Sequence, residues 1–278
     1  MNIDTRSTIA RAVRNILARA GSAQSLVKLN KRHSEKVHFI PRRYRVFGGM
    51  LQAMNIQFGN FIEELMALLV SEDGKYEIVK EFSGKKNNTF AISQSAGAMI
   101  DAYIDECQVS PDGYCNHAFL ELEKNIIADN DVRAHKVKHD IDLLFRDINT
   151  KRYYYLEIKY NDDHDTGKFV DINRKFIKTY AYLVDALSIE NIDQLTPILF
   201  YFNNKKMKGN PYVPECTNIR RGDSFFNEFL SDISYDDLNN YMENLSESDD
   251  IKAMFDDLYN RVVLSERVDA GRTTSISG

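Results

Sequence analysis

Near the start of the chain, apolar residues recur at helical spacing. Ile9, Val13, Ile16 and Leu17 share one stripe of residues 5–20, with Arg6, Arg11, Arg14 and Arg19 elsewhere on the wheel. That pattern predicts an amphipathic basic helix, stopped by Gly21. Residues 22–46 are polar and basic, with a possible short strand at 37–40 (VHFI). A second stripe, Phe58, Ile62, Leu65 and Leu69, predicts a helix over 50–71, with Glu63 and Glu64 turned away from it. The period changes to two at 76–82 (YEIVKEF), which reads as a strand. Residues 92–108 and 115–129 read as helices.

The centre of the chain carries the strongest strand signals. Residues 140–145 (DIDLLF) form a short apolar strand with an acidic start, and 153–160 (YYYLEIKY) a second strand rich in β-favouring Tyr and Ile. The polar turn 146–151 between them predicts an antiparallel hairpin. Residues 171–190 follow as a helix with Phe176, Tyr180, Leu183, Val184 and Leu187 on one side. The bare apolar run 197–202 (PILFYF), arriving after a helix, predicts a buried strand with a parallel neighbour. Residues 224–264 read as helical and acidic, and 271–278 as a flexible tail.

With 278 residues, 43% hydrophobic and 28% charged, the composition is that of a globular protein and excludes disordered or fibrous classes. No run of 18 apolar residues occurs, so no membrane span is expected. The N-terminal stretch lacks the apolar segment and cleavage site of a secretory signal. Three cysteines, Cys107, Cys115 and Cys216, make no disulfide framework or zinc site and suit a reducing, cytoplasmic setting. The net charge of -5 conceals segregation. Residues 1–45 hold 11 Lys or Arg against 2 Asp or Glu, and residues 222–278 hold 4 against 13. Between them, 203–221 holds five basic residues and one acid. Such basic segments suit a polyanion, although a charge run is as often a solvated face.

Chemistry concentrates on the hairpin. Residues two apart on a strand share a face, so Glu157 and Lys159 point together while Leu156 and Ile158 point the other way. Asp142, at the start of the partner strand, comes opposite the Glu157 end. Two carboxylates and one ammonium would then converge beside an apolar core. Hard oxygen ligands of this kind suit Mg²⁺, and Lys159 could orient an attacking water or help deprotonate it. The bland alternative is an exposed ion pair on a solvated face.

At these residues, IDLLF followed by YYYLEIK, the chain resembles the PD-(D/E)xK nuclease superfamily, whose αβββαβ core matches roughly residues 50–205. EIKYNDDHDTGKF and the later RRGDSFF are similar to type II restriction endonucleases of the HinfI/TdeIII-like kind. The resemblance implies an α/β fold, a mixed central sheet flanked by helices, with helical N- and C-terminal additions. It assigns Asp142 and Glu157 as metal ligands and Lys159 as the catalytic lysine. It adds a Glu from the first core helix, matched by Glu63 in FGNFIEEL, with Glu64 as the fallback. Ile141 stands where the superfamily has Pro before the first Asp, and this leaves Asp140 as a rival to Asp142.

The implied activity is Mg²⁺-dependent cleavage of double-stranded DNA at a short palindrome, GANTC-like, leaving 5′-phosphates, with Mn²⁺ as a substitute metal. A palindrome is met most simply by a homodimer, and a cognate DNA methyltransferase is the implied genetic partner. A repair or recombination nuclease of the same fold and a non-catalytic DNA-binding protein are the alternatives. Arg220 and Arg221 are candidates for reading guanine, and Lys205, Lys206, Lys208 and Lys168 for phosphate contacts. His164 is a weaker candidate base, and Asp165 could brace the metal site. The expected divisions are a basic helical arm (1–46), a catalytic core (47–205), a basic loop with an acidic helical region (206–270) and the tail.

Overall fold

A computed structural model describes residues 3–84, 89–132, 134–162 and 166–274. In chain order the elements are α1 (Ile3–Ala20), α2 (Ala23–Ser34), α3 (Arg42–Glu72), β1 (Tyr76–Ile78), β2 (Thr89–Ser93), α4 (Gln94–Val109), α5 (Cys115–Ile127), β3 (Ala134–Lys138), β4 (Leu143–Asp147), β5 (Tyr153–Lys159), α6 (Thr166–Ala186), β6 (Leu195–Tyr201), β7 (Ile219–Arg221), α7 (Gly222–Phe229), α8 (Tyr235–Ser246) and α9 (Asp249–Thr274). They form two compact units, 1–62 with 235–278, and 63–234. Among the described residues no helix is long and apolar enough to cross a membrane.

The first unit is helical. The stripe predicted for α1 is buried at Ile9, Ile16 and Leu17, and α8 and α9 contribute Leu238, Ile251, Leu258 and Val262. Charge that is segregated along the sequence is brought together here. Arg14 pairs with Asp250 at 2.7 Å, and Arg6 lies over the Tyr241 ring. Gly21 ends α1 where a Cβ would fall 2.5 Å from the Leu258 side chain, so its size serves a close approach.

The second unit holds a five-stranded mixed sheet in the order β1-β4-β5-β6-β7. β1, β4 and β5 are antiparallel, with Leu143 opposite Leu156; β5, β6 and β7 are parallel, with Glu157 opposite Leu199. Helices cover both faces. On one, Tyr155 stacks on Phe176 of α6, with ring centroids 5.3 Å apart. On the other, Phe145 and Tyr154 pack against Phe229 of α7, and Phe200 against Phe225. Alternation along β5 therefore sends Tyr154 to one helix and Tyr155 to the other. The path α3, β1, β4, β5, α6, β6 gives the expected αβββαβ order, with β2, α4, α5 and β3 inserted between β1 and β4.

Several elements differ from the sequence reading. Residues 22–34 form a helix begun by Ser22, whose hydroxyl accepts from the Ser25 amide at 3.3 Å. Residues 37–40 pair with no strand. Only three residues of the strand expected over 76–82 pair, after which the chain turns back through Ser83. β2, β3 and β7 were not expected, and α9 continues through residues 271–274.

One buried acid in this unit gives a stability prediction. Glu123 of α5 is pushed up to about 7 by burial, against the opposing effects of Asn218 and Arg152. A carboxyl raised on folding stabilises fully below its unfolded pKa, and that stability is lost as pH rises through the folded value. Glu123→Gln should therefore melt like the parent at pH 4 and above it at pH 8, by up to about 3 kcal/mol. Parallel melting curves at the two pH values would refute this burial argument.

Candidate active site

The ends of β4 and β5 bring the predicted groups together. Asp142 immediately precedes β4, one residue from the Leu143–Leu156 pair, and so stands beside Glu157 of β5. Its Oδ2 accepts the Ile158 amide at 2.7 Å, which fixes the carboxylate against the strand edge. Lys159 Nζ lies 2.7 Å from Glu157 Oε1, 3.5 Å from Asp142 Oδ2 and 2.9 Å from the Ile158 carbonyl. The other Glu157 oxygen accepts the Tyr155 hydroxyl at 3.1 Å. Tyr155, Glu157 and Lys159 thus follow the two-residue period along one face, with Leu156 and Ile158 in the core behind them.

The electrostatics are those of two carboxylates sharing one cation. Burial and then Glu157 push Asp142 up to about 8, with Glu63 adding to the effect. Burial would raise Glu157 too, but Lys159 and His139 outweigh it, and its carboxyl is held below the usual range. Burial opposes the charge on Lys159, yet Glu157, Asp142 and Glu63 raise its pKa. Lys159 is therefore held protonated and donates; as a base it would first have to give up a proton that these acids retain.

Of the two candidate glutamates on α3, Glu63 is half-buried and acts on both Asp142 and Lys159, while Glu64 is exposed. Asp142 makes the contact to Lys159, and Asp140 acts on His139. His139 was not singled out from the sequence as a site residue. Its Nε2 stands 3.7 Å from Glu157 and its Nδ1 2.9 Å from the Thr179 hydroxyl of α6, and burial lowers its pKa. Its position three residues before Asp142 was the available signal. His164 and Asp165 lie outside the described residues.

The donor set suits a hard divalent cation. Asp142 and Glu157 offer only oxygen, and the repulsion from Glu157 that adds to burial in raising Asp142 is one that a cation would relieve. Among the described residues no group of three or more His, Cys, Asp or Glu forms a ready-made metal cage. An ion that keeps several waters needs no fuller cage than two carboxylates.

The basic candidates separate. Lys205, Lys206, Lys208 and Lys168 are exposed. The loop bearing the first three is organised by Asp162, which is fully buried and accepts the amides of Met207 and Gly209 at 2.9 and 3.1 Å. Gly209 has φ +80°, a conformation that favours glycine. Arg221 is paired inside the protein. Its Nη2 lies 2.9 Å from Asp162, its Nε 2.6 Å from Glu215, and its guanidinium covers the Tyr201 ring at 4.9 Å. At 9% exposure it holds the loop from inside. Arg220 is paired with Glu228 and donates to the carbonyls of Thr217 and Ile219, so it too is engaged within the protein.

Comparison with known proteins identifies the family. A family profile described as type II restriction endonuclease, HinfI, matches residues 1–246. The type II restriction enzyme HinfI of Haemophilus influenzae is 56% identical over 263 residues, covering 95% of this chain and 99% of that protein. No solved structure matches the chain. Placed over the N-terminal helices and the whole mixed sheet, these matches show that the chain belongs to the HinfI family of type II restriction endonucleases, which bind double-stranded DNA and cleave it at specific sequences.

Proposed function

We propose that this enzyme cuts a GANTC-like palindrome as a homodimer, with Mg²⁺ held by Asp142 and Glu157 and replaceable by Mn²⁺, leaving 5′-phosphates. Type II restriction enzymes generally work with a divalent metal; the observation carrying this reading is the Asp142, Glu157 and Lys159 cluster at the open end of the hairpin. When bound, the ion polarises the scissile phosphate and lowers the pKa of the attacking water. Lys159, held protonated, directs a donor towards the developing phosphoryl charge and orients water. Tyr155 and the Ile158 amide fix the two carboxylates, so neither must reorganise as charge develops. Lys205, Lys206, Lys208 and Lys168 would neutralise phosphates. An enzyme that cuts a short sequence also endangers its host's DNA, so a cognate methyltransferase and a cytoplasmic setting belong to the same reading.

The test is digestion of a plasmid of known sequence with end mapping, in Mg²⁺, Ca²⁺ and EDTA. Discrete fragments ending at GANTC in Mg²⁺, with binding but no cutting in Ca²⁺, are expected. Ca²⁺ relieves carboxylate repulsion, but it is larger and less polarising. Complete cutting in EDTA would exclude the metal reading, and ends at another motif would replace the sequence. Sedimentation at twice the 32.1 kDa chain mass is expected for the dimer.

A further inference from the structure

The segment between α2 and α3 combines two features that rarely coincide on a protein surface. It is strongly basic: Lys28, Lys31, Arg32, Lys36, Arg42, Arg43 and Arg45 stand against Glu35 alone over residues 28–45. It is also apolar at its tip. Val37 and Phe39 are 105% and 106% exposed, as open to water as in an isolated peptide, and Ile40 and Tyr44 are exposed beside them. α2 itself buries no residue.

The tip is nonetheless built. Arg45 Nη1 donates to the His33 and Lys36 carbonyls at 2.8 and 3.1 Å, so α3 grips the end of α2 and the start of the loop. Within the loop, the Ile40 amide donates to His38 Nδ1 at 3.0 Å. The field of the cluster reaches His33, whose pKa is lowered by burial and then by Lys36, Arg45, Arg32 and His38.

Charge selects what covers this tip. A second copy meeting it across a two-fold axis would place the same excess of cations against itself. A polyanion with apolar surface inside it satisfies both features, and duplex DNA is that molecule: phosphates outside, base faces within. We propose that residues 36–41 are a DNA wedge, with Phe39 and Val37 entering a groove of the bound duplex at a base step while Lys31, Arg32 and Lys36 hold the flanking phosphates. The wedge rests on duplex DNA as substrate, and it adds a second grip that bends the DNA.

The test uses the full-length enzyme in Ca²⁺ with two 30-bp duplexes, one with a GANTC site and one without, each end-labelled for energy transfer. Wild type is expected to shorten the end-to-end distance on the specific duplex. The Val37→Ala/Phe39→Ala double variant should lose that shortening while its salt dependence and melting temperature stay unchanged, because neither side chain is buried. Lys31→Gln/Arg32→Gln/Lys36→Gln should lower the log–log salt slope by about 2.7 on both duplexes, about 0.9 per phosphate contact. An unbent duplex with wild type, or a bend that survives the Val37/Phe39 replacement, overturns the wedge. So does a Val37/Phe39 variant that bends DNA normally but sediments as a monomer where wild type is dimeric, which would make the tip a contact between copies. If plasmid mapping gives a sequence other than GANTC, that sequence goes into the specific duplex, and an error in the recognition reading does not count against the wedge.

Discussion

Glu157→Gln and Asp142→Asn will each lower cleavage by a factor on the order of 10³ or more, and Asp142→Asn will not lower the melting temperature. The first expectation follows from their placement: these two carboxylates face each other across the hairpin with Lys159 between them. The second follows from the burial of Asp142 beside Glu157. Burial and Glu157 raise the Asp142 pKa to about 8, so its charged form is disfavoured by folding. A carboxyl raised on folding costs stability progressively as pH rises from its unfolded value towards its folded one. Asparagine does not titrate and still accepts the Ile158 amide, so Asp142→Asn should melt increasingly above the parent between pH 5 and 8. Lys159→Met should show the opposite stability sign. It leaves two buried carboxylates without their shared cation, and it should lose cleavage and melting temperature together. Single-turnover cleavage and melting curves on the same preparations decide the matter. Near wild-type cutting by Glu157→Gln would end the assignment, and if Asp140→Asn is inactive while Asp142→Asn cuts, the first ligand moves to Asp140.

The opposed stability signs also explain why this part of the fold was legible. The hairpin announces itself because its core-facing residues, Leu143, Phe145, Leu156 and Ile158, alternate with groups that would be costly inside unless used. Strand period and chemical oddity coincide there. Elsewhere they do not. β3 (AHKVK) and β7 (IRR) carry little apolar alternation and exist through their partners, β2 and β6. β2 does alternate, at Phe90 and Ile92, but it runs directly into α4, whose start is fixed by the Ser93 cap. Residues 37–40 have strand-like composition, but with no strand beside them among the described residues they remain a loop. α2 has no buried face for periodicity to report; its legible signal was the cap at Ser22.

Side chains that cooperate across long separations were the hardest to read. Asp162 lies in a charge-dense loop where one more acid carries no signal, and Arg221 comes 59 positions later in a basic segment. Read along the chain, Arg221 looks like a free cation beside Arg220. Only the return of β7 beside β6 shows that it closes over Asp162.

Arg221→Ala is therefore expected to destabilise the protein by about 3–5 kcal/mol, with no primary change in sequence preference. Asp162 is fully buried, and burial alone would raise its pKa; the Gly209 and Met207 amides and Arg221 together hold it below the usual carboxylate range. A carboxyl depressed on folding contributes stability above its unfolded pKa and loses it as pH falls through the folded one. Removing Arg221 takes away part of that contribution at neutral pH and leaves a buried charge with only backbone donors. The melting temperature should fall by roughly 10 °C, less steeply in acid, where Asp162 is protonated in both proteins. Asp162→Asn/Arg221→Leu should recover part of the loss, because breaking one side of a buried pair costs more than replacing both. Arg220→Ala should cost only about 1 kcal/mol, since its partner Glu228 is exposed. The loop bearing Lys205, Lys206 and Lys208 depends on Asp162, so DNA affinity should weaken in Arg221→Ala even where the protein remains folded, and evenly across sequences. An Arg221→Ala enzyme that melts like the parent and cuts at altered sites would make Arg221 a base reader and would overturn the buried-pair account.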